Sequence, residues 1–175
     1  MYYSWRITKF DPKFRDKYGR YIKNDWTSIS DVNKVVNGQI LSFESYLHVE
    51  DKYVQAVLDF SKYFSVPSLK IVGLEKYSET LKVSNERWYT EELKKVYSLI
   101  EEGLDVSNEN IEYVCKLILR NDLWCKLEYE KRMFIHFGYD YYMYIVSDGY
   151  NEELLNKISD NGLFVEQMVS PYLEL

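Results

Sequence analysis

The alternation of apolar and polar residues is clearest in the second half of the chain, where it predicts the centre of a β-sheet. Residues 123–146 are rich in aromatic and β-branched side chains and contain no proline, which is typical of strands. Cys125, Leu127 and Tyr129 alternate with tryptophan, lysine and glutamate, so we expect these three side chains to share the core face. Turn residues divide the stretch into three predicted antiparallel strands, at 123–129, 133–137 and 141–146.

Four other segments show helical spacing of apolar residues, and three shorter ones show the alternation of strands. Ser42, Thr90 and Ser107 precede helical patterns and are predicted N-caps. The predicted helices begin at residue 43, after 90 and after 107, and a short one spans 151–160. The other predicted strands are 2–10, 68–74 and 163–169. Residues 13–41 are predicted to be mostly loop, and residues 75–88 are ambiguous.

This order of elements predicts an α+β fold in a single domain covering residues 1–175. We expect a central sheet, mixed or mostly antiparallel, of about five to six strands, with helices packed mainly on one face. A chain that is 46% apolar and 29% charged has the composition of a folded domain rather than a disordered one.

The sequence also predicts the cellular compartment of the protein. No apolar run approaches the roughly 18 residues of a membrane span, and the first residues do not resemble a signal peptide. We therefore expect a cytoplasmic protein with no membrane partner. Cys115 and Cys125 fall on predicted core faces, and a structural disulfide is disfavoured in a reducing compartment. Two cysteines with no partnering histidine also cannot form a zinc site.

Charge is unevenly distributed along the chain. The whole sequence carries 28 acidic and 22 basic residues, a net charge of −6. Residues 1–34 hold eight bases and four acids, net +4, which leaves −10 for the remainder. Bases spaced among tyrosines could suit RNA, but the overall acidity makes nucleic acid an unlikely main ligand and favours a solvated strand and loop.

Two features leave a structural and a functional interpretation open. The 18 tyrosines are about three times ordinary usage, and they suit either a recognition surface or the half-wet faces of a small sheet. Residues 101–112 contain five acids and no base. This segment is either a solvated helix–turn–helix corner or a patch complementary to a basic partner, and it lacks the ligand spacing of a calcium loop.

No motif for catalysis, cofactor binding or metal binding is present in the sequence. His136 lies between apolar strand residues, where a structural imidazole is expected more often than a general base. With 28 acids available, a hydrolase or nucleic-acid-processing enzyme acting through Glu128 and Asp140 remains an alternative. We expect no enzymatic activity, no cofactor and no bound metal.

Four segments together resemble a family of small bacterial proteins, the immunity proteins of polymorphic toxin and contact-dependent inhibition systems. These segments are Trp5–Lys9, Trp26–Asp31, Trp124–Glu128 and Phe137–Tyr144. The resemblance implies a non-enzymatic inhibitor that binds one cognate toxin domain, and many such toxin domains are basic nucleases. A general protein-interaction module is a further alternative. The sequence does not indicate the oligomeric state.

An inhibitor of a basic enzyme needs aromatic anchors for affinity and acids for electrostatic steering. Residues 138–144 and the acidic segment 101–112 offer both kinds of side chain in outward positions. The predicted anchors are Tyr139, Asp140 and Tyr142. The acids predicted to act at longer range are Glu101, Glu102, Asp105 and Glu109.

Overall fold

A seven-stranded antiparallel sheet organises the protein, as described by a computed structural model for residues 1–83 and 86–173. The strands are β1 (Tyr3–Thr8), β2 (Val35–Val36), β3 (Gln39–Ile40), β4 (Ser68–Lys76), β5 (Asp105–Ser107), β6 (Leu123–Tyr129), β7 (Met133–Phe137), β8 (Tyr142–Ser147) and β9 (Phe164–Gln167). The order across the sheet is β5-β4-β6-β7-β8-β1-β9, and β2 and β3 form a separate hairpin. The predicted α+β class and the mostly antiparallel sheet are confirmed.

Four helices complete the fold: α1 (Phe43–Tyr63), α2 (Glu91–Leu99), α3 (Asn108–Leu119) and α4 (Glu152–Asp160). Helix α3 lies against β4, β5 and β6, while α1 and α2 pack on α3 and α4 packs on α1. None of the helices in the described ranges is both long and apolar enough to cross a membrane.

Side-chain caps fix where the helices begin. The hydroxyl of Ser42 accepts a hydrogen bond from the Ser45 amide at 3.1 Å, and Thr90 does the same for Leu93 at 3.3 Å. Each bond satisfies a backbone N–H that has no partner inside the helix. Ser107 occupies the N-cap position of α3 without a side-chain hydrogen bond. All three predicted helix starts are therefore confirmed.

The core lies between the helices and one face of the sheet. Cys125 and Leu127 of β6 are fully buried together with Ile111 and Val114 of α3, because the short connection between α3 and β6 folds the helix back onto the strand. The predicted core face of β6 is confirmed, although Tyr129 at its end is only half-buried.

The C-terminal segment, residues 168–173, covers part of the opposite face of the sheet. The hydroxyl of Ser4 donates to the Met168 carbonyl at 2.6 Å, and a 2.8 Å hydrogen bond joins Nδ1 of buried His136 to Oγ of Ser170. The ring of Tyr172 lies 6.0 Å from the imidazole of His136, measured between centroids. His136 is thus built into the packing of this segment, as a structural imidazole would be.

The sequence underestimated the number of strands. The acidic segment 101–112 contains β5, so it is not a simple helix–turn–helix corner. The predicted loop 13–41 holds the β2–β3 hairpin and a short 3-10 helix at Ile29–Asp31, and a second 3-10 helix, Pro12–Phe14, overlaps its start. Strand β4 extends to Lys76, into the ambiguous stretch 75–88, in which residues 84 and 85 lie outside the described ranges. Strands of two or three residues are too short to show an alternating pattern.

Substitution of Leu127 tests the core face of β6. We expect Leu127→Ala to lower the free energy of unfolding by about 2–5 kcal/mol, because it removes buried apolar surface and leaves a cavity. Urea denaturation gives the value, with Lys131→Ala in the exposed β6–β7 turn as the control. A midpoint for Leu127→Ala equal to that of the control would contradict the assignment.

Candidate functional site

A cleft of about 350 Å³ opens at one end of the sheet, where β6 begins, β7 ends and β8 begins. Residues at the C-terminal end of α3 line its floor, and the turn that joins β7 to β8 forms its rim. The lining is dominated by aromatic side chains: Tyr53, Tyr77, Trp124, Phe137, Tyr139, Tyr141, Tyr142 and Tyr172. A concave site of this kind is where a ligand or a partner side chain is expected to bind.

The rim is the tight turn between β7 and β8. The Gly138 amide donates to the Tyr142 carbonyl at 2.7 Å, and the Tyr142 amide donates to the Tyr139 carbonyl at 3.2 Å. Asp140 and Tyr141, the two central residues, have φ of 56° and 62°, as a type I′ turn requires. Left-handed backbone at non-glycine residues costs on the order of 1 kcal/mol or more, so surrounding contacts must hold this turn in place.

Buried Tyr141 supplies those contacts from below. Its hydroxyl donates to the hydroxyl of Tyr46 at 2.7 Å, and its carbonyl accepts from the hydroxyl of Tyr53 at 2.7 Å. Its ring packs edge-on against Trp26, with centroids 4.9 Å apart. These contacts form only when Tyr141 points inward, and that conformation directs its neighbours Tyr139 and Asp140 into solvent.

The three predicted anchors have different environments. Tyr139 is 86% exposed and Asp140 is also exposed, so both are available to a partner. Tyr142 is half-buried, and its hydroxyl accepts a hydrogen bond from Nη1 of Arg15 at 2.9 Å. The guanidinium groups of Arg6 and Arg15 lie 5.2 and 5.3 Å from its ring centroid. Tyr142 therefore joins the N-terminal loop to the sheet, with only part of its surface facing the cleft.

The four predicted long-range acids are exposed but do not line the cleft. In the pairing of β5 with β4, Asp105 lies opposite Lys70. The residue of β4 that lines the cleft is Glu75, roughly 16 Å further along the strand at about 3.3 Å per residue. Glu102 has a structural role, because its carboxylate accepts the amides of Gly73 and Leu74 at 3.1 and 2.7 Å.

Sequence reasoning missed Glu75, Tyr77, Trp124 and Tyr172 as cleft residues. The only available signal was Gly73 inside a predicted strand, since a glycine there often marks a bulge. Gly73 has φ of +67° and lies where the pairing of β4 with β6 shifts register, which sets Glu75 opposite Trp124. The indole N–H of Trp124 donates to the Phe137 carbonyl at 2.8 Å, which ties this wall to the rim.

The cleft has a negative electrostatic character. Burial, followed by the negative charge of nearby Glu75 and the proximity of Tyr139, raises the pKa of Tyr77 above its ordinary value. Glu75 and Asp140 are the acids of the lining, and no lysine, arginine or histidine is present among its described residues.

The carboxylate pair considered for hydrolysis is not brought together. Glu128 of β6 lies opposite Phe134, and three residues of β7 separate Phe134 from the strand's end, a length of roughly 10 Å. Asp140 lies beyond that end, in the turn. Within the described ranges, no three histidine, cysteine, aspartate or glutamate side chains are grouped as a metal site would require. Cys115 and Cys125 are buried free thiols, and burial raises the pKa of each.

One acidic residue next to the cleft, Asp122, has a raised pKa. Burial, with a smaller contribution from the charge of Glu50, raises the pKa of Asp122 to about 6. The hydroxyl of Tyr89 donates to its carboxylate at 2.9 Å and opposes this shift. The carboxylate side chain does not line the cleft, so we interpret it as part of the packing beneath it.

Comparison with known proteins adds no assignment: no protein-family model, no curated protein and no solved structure matches the chain.

The raised pKa of Asp122 makes stability depend on pH. Because the folded protein holds the proton more tightly than the unfolded chain, this residue's contribution to stability is greatest below about pH 4 and is lost as pH rises to about 6. We expect Asp122→Asn to raise the free energy of unfolding by about 1 kcal/mol at pH 8, after allowance for the partial exposure of the group, and to have little effect at pH 4.

Denaturant unfolding at several pH values measures this difference. Asp160→Asn, at an exposed carboxylate, is the control. An Asp122→Asn variant less stable than the parent at pH 8 would mean that the carboxylate is needed in its charged form.

Proposed function

We propose that this chain is a non-enzymatic cytoplasmic inhibitor that binds and neutralises a cognate basic bacterial toxin domain. The observation that carries the proposal is the rigid presentation of Tyr139, 86% exposed, next to the carboxylate of Asp140 at the mouth of an aromatic cleft. An exposed aromatic ring beside a pocket is the arrangement found at the centre of many protein interfaces.

Rigidity of the turn supports a role in binding. Association has an entropic cost when loops and side chains must be ordered, and a preformed surface reduces that cost. The turn carrying Tyr139 is held from below by Tyr141, which donates to Tyr46 and accepts from Tyr53. A tyrosine ring adds large contact area with few rotatable bonds, so it gives affinity at low entropic cost.

Charge supports a basic partner. The chain has a net charge of −6, and Glu101, Asp105 and Glu109 are exposed at the edge of the sheet that ends in β5. Exposed acids raise the rate of encounter with a basic protein even when they lie outside the contact area. The steering and anchoring groups therefore lie on separate parts of the surface.

Tagged protein expressed in the native host tests the proposal directly. Captured basic proteins are then expressed alone and together with this chain in a neutral bacterial host. The proposal requires that one of them is toxic alone and harmless when the chain is present. If co-expression relieves no toxicity, the inhibitor function is wrong.

The anchor is tested by Tyr139→Ala with the purified partner. We expect faster dissociation, equivalent to about 1–3 kcal/mol of binding free energy, because an aromatic contact at the interface centre is lost. Tyr18→Ala, which removes another exposed tyrosine outside the cleft, is the matched control. Equal dissociation rates for the two variants would show that the interface lies outside the cleft.

The steering acids are tested by neutralising Glu101, Asp105 and Glu109 together. We expect slower association and a weaker salt dependence, with unfolding unchanged, because exposed acids contribute little to stability. Glu102 is left intact because it accepts the amides of the β4 bulge. Association rates at two ionic strengths give the result. An unchanged salt dependence would show that these three acids do not steer association. The matched control neutralises Glu44, Glu153 and Asp160.

A further inference from the structure

The cleft combines aromatic side chains with two carboxylates, those of Glu75 and Asp140. Glu75 and Asp140 are both exposed at the cleft, and neither forms an ion pair with any of the residues that the structure describes. Two basic residues next to lining residues, Lys76 beside Glu75 and Arg15 on Tyr142, form contacts outside the cleft. Lys76 donates to the Tyr97 carbonyl at 2.8 Å, and Arg15 pairs with Glu166 at 3.3 Å.

We propose that this cleft is a binding site for an organic cation, either an alkylammonium or a guanidinium group. The faces of tryptophan and tyrosine rings attract cations electrostatically, and the attraction is strongest where water is partly excluded. Trp124, Tyr77 and Tyr139 supply such rings, and the two carboxylates supply the opposite charge. A volume of about 350 Å³ suits one side chain or one small ligand.

The protein already uses this chemistry for one of its own lysines. Nζ of Lys9 lies 4.2 Å from the ring centroid of Phe10 and 4.1 Å from that of Trp26. The carboxylate of Asp25 completes the site at 2.9 Å from the same nitrogen. Two rings and one carboxylate thus surround an amino group in this fold, and the cleft offers the same kinds of group with no lysine or arginine among its described lining residues.

The cation can come from two sources, a basic side chain of a protein partner or a free small molecule. The first source rests on the proposed function, since a lysine or arginine of a basic toxin domain would enter the cleft beside Tyr139. The cation site itself does not depend on that function. A neutral sugar also stacks on aromatic rings, but it would leave the charges of Glu75 and Asp140 without a partner.

The test is a titration of the intact protein followed by NMR, with the indole N–H of Trp124 as reporter. Its signal is assigned with Trp124→Phe among the four tryptophans. The probes are N-acetyl-lysine methylamide and N-acetyl-arginine methylamide, with N-acetyl-norleucine methylamide as an uncharged analogue of lysine. Tetramethylammonium represents the free cation, and glucose represents a neutral sugar.

We expect at least one cationic probe to cause saturable shifts at Trp124 and to bind about tenfold or more tightly than the norleucine analogue or glucose. The double variant Glu75→Gln with Asp140→Asn should weaken that binding about tenfold, whereas Asp160→Asn should not change it. Asparagine tolerates the left-handed conformation of position 140, so the turn is retained and unchanged thermal unfolding verifies it. Equal binding of the charged and uncharged probes, or no saturable shift with any cation, would overturn the proposal.

The two sources are separated by comparing a lysine or arginine tripeptide with tetramethylammonium. Tighter binding of the tripeptide supports a protein side chain, and tighter binding of tetramethylammonium supports a small ligand. The site and the proposed function can also fail separately. If a cation binds and the double variant still neutralises the toxin like the parent, the cation site stands and its protein source is excluded. If Tyr139→Ala abolishes partner binding but no cation binds, the inhibitor function stands and the cation site is wrong.

Discussion

The buried ion pair between Glu50 and Arg120 is the constraint to which the other elements are tied. Glu50 is 0% exposed and the side chain of Arg120 is 4% exposed, and two hydrogen bonds of 2.7 Å join their oxygen and nitrogen atoms. Removing such charges from water costs on the order of several kcal/mol per ion, and only close, complete pairing offsets that cost. Arg120 also donates to the Trp88 carbonyl, so the ion pair links α1, the end of α3 and the segment before α2.

Hydrogen bonds among buried tyrosines connect this ion pair to the turn between β7 and β8. The hydroxyl of Tyr46 donates to Glu50 at 3.1 Å and accepts from Tyr141, whose carbonyl is bound by Tyr53. The hydroxyl of Tyr53 in turn accepts the amide of Lys9 at 2.7 Å, which holds the start of the N-terminal loop. Buried polar groups are costly when unpaired, so the left-handed turn persists because its alternatives would leave several of these groups without partners.

Local patterns predicted the elements that depend on neighbours in sequence. Ser42 and Thr90 mark helix starts by satisfying nearby backbone amides, and the alternation around Leu127 identifies a strand with one buried face. The cleft could not be predicted in this way, because its walls combine residues from positions as distant as 27 and 172. Its shape depends on a bulge in β4 and on a turn whose conformation is set by buried contacts. Neither feature leaves a periodic signal. Tyr139 and Asp140 were accessible to sequence reasoning because they follow Gly138 in an obvious turn.

The tyrosines include two groups with different environments. Tyr46, Tyr53 and Tyr141 use the phenol as a buried hydrogen-bonding group, which phenylalanine could not replace without leaving a partner unsatisfied. Tyr77 and Tyr139 instead present their rings to solvent at the cleft. The orientation of Tyr139 depends on the buried group, because the buried hydroxyls hold the turn that carries its ring. A surface fixed in this way would need little ordering on binding a partner, so more of the contact energy would appear as affinity.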